Sequence, residues 1–91
     1  MKKFENCSNE VLMETWRLCH EYRMSCFERQ YKIIKALEKA TIKFNEFPCL
    51  RLKESVDKWE WKLQYVSKEI STLTDEILDM KYEILSRDMD L

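Results

Sequence analysis

The sequence predicts an all-α fold: two long helices folded back on each other as an antiparallel coiled-coil hairpin, completed into a larger helical bundle by partner chains. Three observations carry this expectation. Apolar residues recur at alternating spacings of four and three through two separate stretches. The chain has no glycine and a single proline, which stands between the two stretches. The repeats on either side of that proline are also out of step, so one continuous helix would not keep one continuous apolar seam.

In chain order, residues 1–8 lack periodicity and read as a flexible N-terminal tail, with Ser8 or Asn6 available to cap a first helix over 9–46. The repeat in that helix runs Leu12, Trp16, Cys19, Arg23, Cys26, Gln30, Ile33, Leu37, Ala40, Phe44 and Phe47. A bend over 47–50 follows from Pro48, which lacks a backbone donor and pushes the residue before it out of helical geometry. The second heptad-repeat helix, 51–91, carries the clearer seam: Leu52, Val56, Trp59, Leu63, Val66, Ile70, Leu73, Ile77, Met80 and Ile84, with no polar interruption until Arg87. Folding back at Pro48 sets Phe44 against Leu52, Ile33 against Leu63, Cys19 against Ile77 and Leu12 against Ile84, each an a position facing a d position. The same register places Arg29 beside Glu69 and leaves the small Ala36 and Ala40 next to Trp59, where an indole needs room.

Composition narrows the function. With 36% charged residues and a net charge of -1, the chain lacks the overall basic character of a general nucleic-acid binder. No run approaches the length of a transmembrane helix, and Met1-Lys2-Lys3-Phe4 is not followed by the apolar core of a signal peptide. All four cysteines (Cys7, Cys19, Cys26, Cys49) precede the second helix, which argues against a disulfide-stapled hairpin and for a reducing intracellular compartment, cytoplasm or nucleus. Without glycine there is no phosphate-cradling loop, nucleotide fingerprint or nucleophile elbow, so no enzyme and no cofactor is expected. Cys19 and Cys26 share a helix face but lie about 10 Å apart along it, too far for one tetrahedral zinc. They read as core residues, and His20 as a flanking one.

Three groups of residues carry the functional expectation. Arg23 and Gln30, the polar members of the first seam, read as register-setting residues, with Glu69 or Glu76 within reach of Arg23. Off the seam, a second apolar stripe includes Met13, Met24, Phe27, Tyr31 and Ile34 on the first helix. Leu78, Tyr82, Leu85 and Met89 repeat the pattern on the second, with Trp61 and Tyr65 exposed nearer the bend. Such a stripe marks a docking face for a protein partner, identical or different. The chain is therefore expected to be a non-enzymatic protein–protein interaction or scaffold subunit of a multiprotein assembly. A second reading uses the basic bend (Lys32, Lys35, Lys39, Lys43, Lys53, Lys58, Lys62) to meet an acidic surface such as a microtubule, an anionic membrane or nucleic acid.

Overall fold

Between Asn9 and Glu46 no glycine or proline interrupts the backbone, and between Leu50 and Ser86 the same holds. In the computed structural model, which describes residues 4–89, each stretch is one unbroken helix: α1 (Asn9–Glu46) and α2 (Leu50–Ser86). They pack antiparallel as a helical hairpin measuring 59 × 23 × 15 Å. A thickness of 15 Å is little more than one helix with its side chains, so the hairpin is a single layer with both broad faces open.

Each helix end has a local cause. Ser8 caps α1 in extended geometry (φ -66°, ψ 159°), and its Oγ accepts a hydrogen bond from the Val11 N–H at 3.2 Å. Glu10 in the first turn and Lys43 in the last complement the helix dipole. Before Pro48, Phe47 leaves helical geometry (φ -141°, ψ 81°), its N–H closing on the Lys43 carbonyl at 2.9 Å. This swings Phe47 out of the seam in which the repeat placed it, leaving it 71% exposed. Cys49 is the extended N-cap of α2, with no side-chain hydrogen bond, so the helix begins at Leu50, one residue before the expected start.

The far end of α2 departs further from expectation. Instead of continuing to residue 91, the helix stops at Ser86. Asp88 adopts left-handed geometry (φ 55°). The Asp88 N–H reaches the Leu85 carbonyl at 3.1 Å and the Met89 N–H reaches the Ile84 carbonyl at 3.2 Å. This is a Schellman cap with aspartate where glycine is usual, and it folds Met89 back onto the core beside Ile84.

Two polar links, seven residues apart on both helices, cross from α1 to α2. Gln30 Nε2 donates to Ser67 Oγ at 3.2 Å, and Arg23 Nη1 donates to Thr74 Oγ1 at 3.2 Å. Thr74 in turn donates its hydroxyl hydrogen to the Ile70 carbonyl at 2.8 Å, leaving its lone pairs to Arg23. Arg29 lies 3.5 Å from Glu69, as the hairpin register requires. The α2 seam is buried at Val66, Ile77, Met80 and Ile84 and half-buried at Leu52, Val56, Trp59, Leu63, Ile70 and Leu73. On α1, Leu12, Cys26 and Ala40 are the buried members.

Burial is concentrated at the open end, where Leu12, Ile77, Met80 and Ile84 form a cluster flanked by Trp16 and Cys19. Phe4 and Cys7 pack on it as well, so residues 4–8 are not the free tail their lack of periodicity implies; residues 1–3 lie outside the described residues. Arg87 holds them there. Its Nη2 donates to the carbonyls of Phe4 (3.1 Å) and Glu5 (3.0 Å), and its Nη1 to Asn9 Oδ1 (2.9 Å). Its Nε bonds Glu83 Oε1 at 3.0 Å, and Glu83 is itself buried. The residue that ends the apolar seam is thus a clasp that ties the segment before α1 to the end of α2 at the open end of the hairpin.

Replacing Arg87 with Ala leaves Glu83 without its guanidinium and releases the turn at residues 4–6. Urea denaturation should show a loss of about 2–4 kcal/mol, and amide exchange should accelerate over residues 4–12 first. An Arg87→Lys variant should recover only part of this, because an ammonium lacks the guanidinium fork.

Candidate docking face

With both faces of a single layer open, what distinguishes them is which side chains each presents. One face carries the columns that flank the seam at His20, Phe27 and Ile34 on α1 and at Ser67 and Thr74 on α2. His20, Arg23, Thr74, Leu78 and Lys81 line one groove on this side. Ile34, Leu37, Glu38, Thr41 and Ile42 line another with Leu63. Between them Met24, Phe27 and Tyr31 form a shallow depression with Glu28 and Lys32.

Of the residues read from sequence as docking residues, Met24 (60%), Phe27 (40%), Tyr31 (63%) and Ile34 (36%) stand exposed in one run on α1. Leu78, Tyr82 and Leu85 are exposed on α2, and Leu78 shares the His20 groove. Met13 and Met89 are placed differently: both are half-buried against the Leu12–Ile84 cluster, because the clasped N-terminal segment and the Schellman turn fill the open end around them.

The electrostatics of this face are local. Arg17 forms ion pairs with Glu14 (2.6 Å) and Glu21 (2.7 Å). The Arg23 guanidinium lies 5.8 Å from the centre of the Phe27 ring. Arg23 Nε and Trp16 Nε1 are buried with no acceptor among the described residues. His20 stands edge-on to Trp16, ring centroids 4.2 Å apart; burial lowers its pKa from the usual 6.5, and the Arg23 charge lowers it further.

The opposite face is organised around a carboxylate. Glu69 accepts the Tyr22 hydroxyl at 3.0 Å and faces Arg29, whose Nη2 also lies 3.0 Å from the Cys26 thiol. The hydrogen bond to Glu69 raises the Tyr22 pKa, with the carboxylate charge adding to it. Arg23 therefore meets the Thr74 hydroxyl, while Glu69 is engaged by Tyr22 and Arg29. Nearer the bend Trp61 and Tyr65 stack with centroids 5.8 Å apart, both exposed. Tyr22 and Ile42, also exposed, were not singled out by periodicity, since each is isolated along its own column.

The bend lysines are spread over the surface. Lys35 faces Glu38 at 3.7 Å and Lys53 faces Asp57 at 3.5 Å. Lys58 and Lys62 lie over the Trp59 ring, 5.7 and 4.5 Å from its centre. Lys32, Lys39 and Lys43 are exposed. Among the described residues no group of three or more His, Cys, Asp or Glu side chains could hold a metal ion, and no helix is long and apolar enough to cross a membrane. Comparison with protein-family models, with curated proteins and with solved structures finds no match to this chain.

The folded state holds His20 neutral more firmly than the unfolded chain does. Its contribution to stability is therefore present above pH 6.5 and is lost as pH falls through the lowered folded pKa. Urea midpoints should decline between pH 7 and pH 5, above the range where unperturbed carboxylates titrate. A His20→Gln variant should show a flatter profile over that window.

Proposed function

We propose that this chain is a non-enzymatic interaction subunit, an antiparallel coiled-coil hairpin that docks one face into a helical bundle with a protein partner. The observation that carries the reading is the exposed run Met24, Phe27, Tyr31 and Ile34, set on a scaffold only one helix thick. Four large apolar side chains at four-three spacing present the same anchors that helix-in-groove recognition uses. Continuous apolar surface of this kind is a docking feature rather than ordinary protein exterior.

Two further features support binding over chemistry. The titratable groups beside the grooves are held in structural pairings: His20 against Trp16, Glu69 between Tyr22 and Arg29. The grooves themselves lie open along the outside of the hairpin, suited to side chains from another helix rather than to an enclosed small substrate. The four free thiols suit a reducing compartment inside the cell.

Seam and face should separate on mutation. Changing Phe27 and Ile34 together to Ser should remove association, measured by sedimentation or partner retention, with circular dichroism showing the helices intact. Changing the half-buried Leu63 or Ile70 to Ala should instead cost about 2–4 kcal/mol of folding stability. Equal loss of helicity in both sets, with no selective effect on association, would sink the two-face description.

A further inference from the structure

We infer that the occupant of this face is a second copy of the same chain, laid across it in reverse so that each bend covers the other copy's open end. The inference rests on the docking-face reading above and adds the partner and its orientation.

The first support is surface area. The chain exposes 7031 Å². A compact monomer of 11.2 kDa exposes about 5700 Å². The excess, about 1300 Å² per copy, gives about 2600 Å² for two, within the range of homodimer interfaces.

The second support is the charge pattern of the face itself. At its bend end stand Glu38 on α1 and, by helical spacing from Leu78 and Thr74, Asp57 and Glu60 on α2, against Lys53. At its open end stand Lys81 and His20, with Arg17 paired to Glu14 and Glu21 and, one heptad beyond Arg17 and Lys81, Glu10 and Asp88 at the margin. The middle is an apolar run, Met24, Phe27, Tyr31 and Ile34 on α1, edged by Glu28 and Lys32 and set beside Gln64, Ser67, Ser71 and Thr74 on α2. Two copies related by a two-fold axis along the hairpin would set acidic end on acidic end. A two-fold across the hairpin takes the acidic bend away from its own copy, sets it beside Lys81 and lays the apolar centre on itself, which is the closed, isologous arrangement most homodimers use.

The third support is register. In an antiparallel helix pair, the two alternating columns of a stripe face each other. Applied to α1 against its own copy, this brings Phe27 to Tyr31, Met24 to Ile34 and His20 to Glu38 of the second copy. Applied to α2 about the same axis, it brings Asp57 to Lys81 and Ser67 to Ser71. The two helix pairings share one centre, because the Gln30–Ser67 link within the hairpin puts the middle of α1 beside the middle of α2. The apolar run of α1 finds apolar opposites, while on α2 Leu78 falls opposite Glu60, and the small hydroxyl residues of α2 let the two layers approach closely.

Asp57 and Lys81 lie about 36 Å apart along one helix at about 1.5 Å per residue, so they influence each other only between copies. In sedimentation experiments the purified chain at tens of micromolar should run as a dimer. Asp57→Lys should weaken self-association about tenfold, and adding Lys81→Asp to it should restore the affinity to within about threefold. A spin label on Cys49, with the other cysteines replaced, should report bends about 60 Å apart. A chain that stays monomeric at 100 µM overturns the inference, as does a bend-to-bend distance under about 25 Å, or an Asp57→Lys variant that dimerises like the parent. In the monomeric case the docking face itself still stands if Phe27→Ser with Ile34→Ser abolishes retention of another protein. A dimer indifferent to that double change would instead defeat the face and the inference together.

Discussion

The constraint on which this structure depends is the slip in helical phase around Pro48. Proline's missing N–H and its steric demand on Phe47 stop α1, and the three residues Phe47, Pro48 and Cys49 return the chain antiparallel. Because the apolar repeat restarts at the offset this turn needs, each seam finds the other. A kinked continuous helix would bury neither. The seam then settles burial, the unburied columns settle the faces, and the single-layer geometry decides that those faces stay open.

Within the seam, polar residues do what apolar ones cannot. Leucine against isoleucine tolerates a slide of one heptad, since the next turn offers the same surface. Gln30 on Ser67 and Arg23 on Thr74 form together in one register only: a slide of one heptad sets Gln30 on Thr74 but Arg23 on Lys81, or Arg23 on Ser67 but Gln30 on Glu60. The spacing predicts polar pairing at Arg23 and Gln30 but points to a carboxylate opposite Arg23, where the structure has the Thr74 hydroxyl. A lone serine or threonine flanking a heptad seam carries no pattern of its own. Its role is visible only once the opposite helix is in place.

The fold was legible because it rests on periodicity, which a single sequence displays directly: the hairpin, the bend and the inward seam from Leu52 to Ile84, buried or half-buried throughout, all follow from spacing. What was not legible rests on backbone geometry. Phe47 fits the repeat yet stands exposed, since its non-helical dihedrals override side-chain spacing. Asp88 in left-handed geometry ends α2 without the glycine that would have announced it. Met13 and Met89 looked like members of an outer stripe, and only the packing of Phe4 and Cys7 around the open end explains their burial. The run Met24, Phe27, Tyr31 and Ile34 was readable, because no residue at helical spacing on α2 is large enough to cover it.

The Arg87 clasp has a kinetic consequence. It joins residues about eighty positions apart, whereas the contacts beside Pro48 close loops of only a few residues. Loop-closure entropy favours a hairpin that zips from the bend outward, so the clasp closes after the rate-limiting step. An interaction absent from the transition state acts on unfolding alone. Arg87 thus sets how long the closed hairpin lasts, while the residues around Pro48 set how quickly it forms.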